Sequence, residues 1–268
     1  MHHTPHKILQ YHSGEWVQAE TDIIREQAVS LIVNNQYWLT FMCTPVDLEA
    51  LAVGFLYNEE IIQRTEDIAS ARVCPGEDNI DVWLNLPVKK PENWIRTTGC
   101  SGGETSIRQG DRGRTLPKPK NGKMLTAGKI DQLLRQLGET QDLYRKTGGV
   151  HTSALTDGEK IFITAEDIGR HNTLDKLAGR LLLENIHPAS KIILTTGRIS
   201  SEMIQKAYRI GASVAISRTS PSSLSVQMAE ELGLTLIGYA RQEHFTVYTH
   251  PQRVLQADLE KALKSEAA

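Results

Sequence analysis

Two largely apolar runs, residues 28–33 (Ala-Val-Ser-Leu-Ile-Val) and 37–42 (Tyr-Trp-Leu-Thr-Phe-Met), read as strands. Asn34-Asn35-Gln36 between them is turn chemistry, so the two runs read as a hairpin. The period then changes. Leu48, Leu51, Ala52 and Phe55 recur at helical spacing and form one buried stripe. Thr44-Pro45-Val46-Asp47 opens that helix, with Thr44 as the N-cap, Pro45 at the first helical position and Asp47 near the positive N-terminus. Short strands near 70–74 and 80–86 complete a small α+β unit.

The second half is more regular. Thr126 caps a helix carrying Ile130, Leu133, Leu134 and Leu137, ended by Gly138. Val150–Thr156 and Lys160–Thr164 flank Asp157-Gly158-Glu159, a strong hairpin signal. Helices near 170–185, 200–210 and 222–232 then alternate with strands at Lys191–Thr195, Ser213–Ser217 and Leu234–Gly238. Such alternation implies crossover connections and a largely parallel sheet with helices on its faces. The predicted class is α/β in two domains: a small α+β domain over 1–118 and a second domain over 119–268.

Residues 96–123 break the pattern. Glycine, proline and polar residues dominate, and seven cations (Arg96, Arg108, Arg112, Arg114, Lys118, Lys120, Lys123) face only Glu104 and Asp111. The rest of the chain is net acidic, since the whole carries −2. A segment this long without apolar pattern is expected to be a mobile, anion-seeking loop. It carries Cys100 between Gly99 and Gly102-Gly103. Glycines fill no core, but they expose backbone N–H groups, and with Arg96 nearby these favour a thiolate, the reactive form. Cys43, on a strand-like run, and Cys74, before Pro75-Gly76, read as structural.

Composition narrows the classes. Three cysteines in 268 residues are not a disulfide framework and fit a reducing compartment. Near-neutral charge gives no global case for nucleic acid, and no run reaches membrane-spanning length. Met1-His-His-Thr-Pro-His-Lys7 lacks the apolar centre of a signal peptide. The expectation is a cytoplasmic protein that binds neither nucleic acid nor membrane, with its early histidines in a solvated tail.

Three strand-to-helix turns hold the remaining polar density. Glu166-Asp-Ile-Gly-Arg-His171-Asn172 gathers two acids, an arginine and a histidine, and His171 lies four residues before Asp175 on one helix face. Thr195-Thr-Gly197-Arg198-Ile-Ser200 and Arg218-Thr-Ser220-Pro221-Ser222 offer hydroxyls, arginines and helix N-termini suited to a phosphate. In the last strand-like run, Phe245 to His250, alternation turns Phe245, Val247 and Thr249 toward a core, with Tyr248 and His250 outside. The chain has no Cys-x-x-Cys, no His-Glu-x-x-His, no Walker A and no Gly-x-Gly-x-x-Gly after a strand, so no metal site is expected.

Several of these runs, taken together, resemble the FdhD family of accessory sulfur carriers needed for formate dehydrogenase activity. They are Met42–Leu56, Thr98-Gly-Cys100, Thr147-Gly-Gly-Val-His151, Glu166–Lys176, Thr196–Met203 and Phe245-Thr-Val-Tyr-Thr-His250. The resemblance implies a cytidine-deaminase-like, three-layer α/β/α second domain, without its zinc: Gly169-Arg-His-Asn172 and Gly197-Arg-Ile-Ser200 stand where a deaminase keeps ligands. It also implies a sulfurtransferase-like role. Cys100 takes sulfane sulfur from a cysteine desulfurase as a persulfide and passes it to the molybdenum bis(molybdopterin guanine dinucleotide) cofactor. Phe245, Thr246, Val247, Tyr248, Thr249 and His250 map onto the family's cofactor-binding stretch. Arg198 and His171 are added from the polar turns, and guanine nucleotides are expected at the same place. Implied partners are the desulfurase, formate dehydrogenase and a second copy in a homodimer. Many members carry Cys-x-x-Cys where this chain reads Cys100-Ser-Gly-Gly103, so it lacks an internal thiol to expel the sulfur.

Two further readings compete. A chaperone would hold the cofactor without sulfur chemistry. A nucleotide-binding hydrolase would pair Cys100 with His151 or His171.

Overall fold

A computed structural model describes residues 2–92, 95–96, 104–105, 124–242 and 244–255, with backbone alone at 95–96, 104–105 and 255. In chain order the elements are β1 (His3–His12), β2 (Glu15–Ile24), β3 (Gln27–Val33), β4 (Gln36–Cys43), α1 (Leu48–Asn58), β5 (Ile68–Val73) and β6 (Asn79–Leu84). Then come β7 (Ile95–Arg96), β8 (Glu104–Thr105), β9 (Leu125–Thr126), α2 (Ala127–Glu139), α3 (Asp142–Thr147), β10 (His151–Thr156), β11 (Ile161–Asp167) and α4 (Arg170–Leu183). The chain continues through β12 (Ile192–Thr195), α5 (Ser201–Ile210), β13 (Val214–Ser217), α6 (Ser223–Leu232), β14 (Thr235–Arg241), β15 (His244–Val247) and β16 (Val254–Leu255). The architecture is mixed α/β.

The chain forms two compact units. The first comprises residues 1–106, 141–152 and 165–183; the second comprises 107–140, 153–164 and 184–268. The contacts therefore place α3 and α4 with the first unit, although both follow position 119 in sequence. The reason for α4 is its fit to α1. An ideal Cβ on Gly54 would stand 1.7 Å from the Asp175 carbonyl oxygen, and one on Gly179 would stand 1.9 Å from that of Ala50. Only glycine at both crossing points lets the two backbones touch.

In the first unit a four-stranded sheet runs β4-β3-β6-β5, with β3 and β6 parallel and its other pairs antiparallel. Asn34 and Asn35 make the predicted hairpin turn, both at positive φ, the backbone a two-residue turn demands. The core is Val29, Leu31, Phe41, Leu51, Phe55, Leu56, Ile80 and Val82, with Leu182 from α4. Phe41 and Phe55 meet edge to face at 5.2 Å.

Two sequence expectations are corrected here. Thr44 does not cap α1: the helix begins at Leu48, after Asp47 at φ 51, and no side chain caps it. Thr44 is instead fully buried and bonded elsewhere, because its neighbours offer a buried carboxylate and an unpaired backbone N–H. The N-terminal histidines are not a tail: residues 3–12 pair along their full length with 15–24. Ser13 and Gly14, both at positive φ, supply the turn. The mixed polar pattern there hid the strands, because neither face of this ribbon is buried.

The second unit carries a six-stranded sheet in the order β11-β10-β12-β13-β14-β15. Its centre, β12-β13-β14, is parallel, whereas β10 and β15 join antiparallel. Ile192, Leu194, Val214, Ile216 and Ile237 pack with Ile130, Leu133, Leu134 and Leu137 of α2. The alternate residues Ile193, Ala215 and Leu236 are buried as well, as expected for strands with both faces covered. The helix caps at Thr126, Ser200 and Ser222 each accept the backbone N–H three residues on. Among the described residues no helix is long and apolar enough to cross a membrane.

Candidate functional site

Cys100 and residues 97–103 around it lie outside the described residues, as does nearly all of the basic 96–123 segment. The flanks are described. Ile95 pairs with Thr105 and Arg96 with Glu104 in an antiparallel ladder. The chain on either side of the Cys100 run is thus held together at its base.

The other two cysteines are poor nucleophiles. Cys43 is fully buried, and its thiol is pushed up to about 12 by burial and by the nearby Asp167 carboxylate. Cys74 is pushed up by partial burial and by Asp81, whose carboxylate accepts from its Sγ at 3.7 Å. Both are held as thiols, the unreactive form.

In the second unit the carboxyl ends of β12, β13 and β14 lie side by side, where open parallel sheets bind ligands. The two phosphate-like turns meet there. The Ile199 N–H donates to Ser220 O at 3.2 Å, and the Ser222 N–H donates to Ile199 O at 3.0 Å. Ser217 Oγ donates to Gly197 O at 2.8 Å. The third strand end joins through the Tyr239 N–H on Thr219 O and Arg241 Nε on Arg218 O, at 3.0 and 3.1 Å. Arg198 and Arg241 are exposed on this edge and Arg218 is half-exposed. Tyr239 sits at φ 50, beside a break in the β14–β15 register, and 46% of it is exposed. Tyr248 closes over Gly238, where an added Cβ would meet it at 3.0 Å and Thr219 O at 3.1 Å. Burial, and secondarily Tyr239, push the Tyr248 phenol up. Three cations and two aromatics make this edge fit for a phosphorylated, aromatic ligand.

The 245–250 stretch divides. Phe245 and Val247 pack on the core beneath α2. Thr249 is buried, its hydroxyl bonded to Leu234 O and the Leu236 N–H. Thr246 remains exposed, and Tyr248 and His250 are half-exposed. His250 Nε2 donates to Glu230 O at 3.0 Å.

His171 belongs to the first unit, buried in the first turn of α4. Sequence reading took the polar density there as site-like, and most of it proves to be internal bonding. Glu166 accepts from the Leu143 and Tyr144 N–H groups and so caps α3. Asp167 pairs with Lys176, and Asp175 accepts from Asn58 at 2.7 Å. What sequence reading missed is Tyr239 and Arg241. The one signal was Tyr239 directly after Gly238 and Arg241 two residues further on, at the end of an otherwise apolar strand. Among the described residues no cluster of three or more His, Cys, Asp or Glu could hold a metal.

A mixed α/β protein with a cationic sheet edge, and with a third cysteine set among glycines in its sequence, is the class these features define. Its family follows from comparison: residues 24–255 match the FdhD/NarQ family, and the chain belongs to it. The Bacillus licheniformis sulfur carrier protein FdhD is 36% identical, over 94% of this chain and 97% of that protein. That of Staphylococcus aureus is 31% identical, over 94% and 96% respectively. A crystal structure described as a candidate formate dehydrogenase accessory protein, from Desulfotalea psychrophila, superposes with a TM-score of 0.79 at 29% identity. It covers 95% of this chain and 100% of its own.

Proposed function

We propose that this chain is a sulfur carrier that serves formate dehydrogenase through a persulfide on Cys100. The observation that carries the reading is its membership of a family whose relatives, at up to 36% identity over nearly full length, bear the name sulfur carrier. The chemistry of the chain agrees. Burial and neighbouring carboxylates withdraw Cys43 and Cys74 from thiolate chemistry, which leaves Cys100 in its glycine run.

The transfer balances without an oxidant. The Cys100 thiolate attacks the outer, sulfane sulfur of a cysteine desulfurase persulfide. A new S–S bond forms on Cys100, the donor's S–S bond breaks, and the donor cysteine leaves as thiolate. The cargo acceptor is the molybdenum bis(molybdopterin guanine dinucleotide) cofactor, bound as a substrate. Its guanine and phosphate groups match the edge at Arg198, Arg218, Tyr239 and Arg241, with Thr246 and Tyr248 beside it, whereas His250 lies toward the amino end of β14, at Thr235 and Glu230. The finer fold kinship, a cytidine-deaminase-like second domain, is part of the same proposal and is supported by the central parallel strands β12-β13-β14 with their helices.

The test is intact-protein mass spectrometry after incubation with a desulfurase and cysteine. The full chain should gain a sulfur atom on the Cys100 peptide, and Cys100→Ala should gain none. A second reading, a cofactor-binding chaperone without sulfur chemistry, is favoured by Gly103 standing in place of the usual second cysteine. Cofactor binding with no mass gain on Cys100 would select it.

A further inference from the structure

The backbone of β14 leaves its extended form at Tyr239, which lies at φ 50 inside the strand. Among the described residues it is the only non-glycine residue at positive φ within a strand. The others, Asn34, Asn35, Asp47 and Asn185 among them, stand between elements and carry polar side chains. An aromatic residue is ill suited to this conformation, because its Cβ crowds the backbone carbonyl. Glycine or asparagine would hold the same bend with less strain.

The core does not require the ring. Residues 235–238 and Ala240 are buried, whereas Tyr239 is turned outward beside the break in register between Gly238 and Arg241. Its neighbours pin the bend. The Tyr239 N–H is held by Thr219 O, and Arg241 Nε is held by Arg218 O. Gly238 admits the Tyr248 ring and Pro221, which an added Cβ would meet at 3.0 and 3.1 Å. A strained residue persists only where its surroundings over-determine it, and such residues gather where the side chain has a task. The surroundings say which task. A flat aromatic face stacks on a nucleobase whatever the base's edges. Arg218 and Arg241 lie on the same edge, and arginine pairs with phosphate oxygens.

We propose that Tyr239 is the specificity-determining residue of this edge: its ring, held outward by the strained backbone, stacks on a purine base while Arg218 and Arg241 take the phosphate. The inference rests on the cargo reading given above and adds the residue that selects the base. A purine offers the ring a larger face than a pyrimidine, so the preference follows from stacked area. The strain also separates this role from a packing role. Replacing a packing residue destabilises the fold, whereas replacing Tyr239 by a residue at ease in the left-handed region should not.

Titration calorimetry of the full chain with guanosine diphosphate and with cytidine diphosphate, beside thermal unfolding, tests it. The wild type should bind the guanine nucleotide more tightly than the cytosine one. Tyr239→Asn should weaken guanosine diphosphate by about fivefold or more, the lower end of what one stacked base contributes. It should bring the two nucleotides close to equal affinity and melt no lower than the wild type. Tyr239→Phe, which keeps the ring, should recover most of the affinity that Tyr239→Asn loses. If Tyr239→Asn binds within about twofold of wild type while Arg198→Ala still weakens binding, the inference falls and the cargo reading stands. A Tyr239→Asn protein that melts several degrees lower would make Tyr239 a packing residue and overturn the strain argument. A wild type that binds neither nucleotide overturns the cargo reading and this inference with it.

Discussion

Asp167 and Lys176 form an ion pair at 2.6 Å in which neither side chain reaches solvent. Each charge is fully bonded. Lys176 Nζ also donates to the carbonyls of Thr44 and Glu166, both at 3.1 Å. Asp167 accepts from the Thr44 and Gly169 N–H groups and from Asn172 Nδ2, which donates again to Met42 O. The pair ties the segment after β4 to the start of α4 and fixes the loop that replaces the predicted Thr44 cap.

Removing one partner should therefore be costly. Lys176→Met leaves a carboxylate buried without its counter-charge, at about 3–5 kcal/mol. Urea unfolding of the full chain would measure it. The double variant Asp167→Asn with Lys176→Met should recover part of the loss. A single variant within 1 kcal/mol of wild type, on the scale of a surface change, would show that water reaches the site.

Gly54→Ala sets two effects against each other. Helix propensity alone favours alanine by about 1 kcal/mol. The added methyl, however, would meet the Asp175 carbonyl at 1.7 Å, and backbone cannot step aside as a flexible side chain does. Packing should win, with a net loss of at least 1–3 kcal/mol. Thermal unfolding reads the sign directly, and Gly179→Ala should behave alike.

Cys43 makes stability fall at alkaline pH. Its folded pKa of about 12 lies above the ordinary value of 9.0, so between these limits the folded state holds a proton that the unfolded state has lost. Its contribution is complete below pH 9 and decreases as pH rises toward 12, by up to about 1.4 kcal/mol per unit. Unfolding curves from pH 8 to 11 should show the decline, and Cys43→Ala should flatten it. In the native protein Cys43 should also resist alkylation at pH 8.

Arg198 should matter to the proposed cargo and not to the fold. It is exposed on the sheet edge, so Arg198→Ala should change stability by less than about 0.5 kcal/mol. Titration calorimetry should show guanine-nucleotide affinity falling several-fold, as a charge-assisted hydrogen bond is worth about 1.5–3 kcal/mol. Raised salt should narrow the difference by screening. Equal affinities would remove Arg198 from the site.

The sequence by itself determined the periodic elements. The β3–β4 hairpin, α2 with its Thr126 cap and the alternation from β12 to β14 were legible, because side-chain period and turn chemistry are local properties. It also singled out Cys100 by its glycines and the two turns at Arg198 and Ser220. The tertiary structure decided what depends on contact between distant positions. Sequence cannot show that Gly54 and Gly179 let α1 and α4 touch, drawing α4 to the first unit. Nor can it show that the acids at 166–167 bond internally, or that Tyr239 and Arg241 join a polar edge. The β1–β2 ribbon escaped for a related reason. Burial writes the alternation that reveals a strand, and this ribbon, with no core to face, carries no such signature.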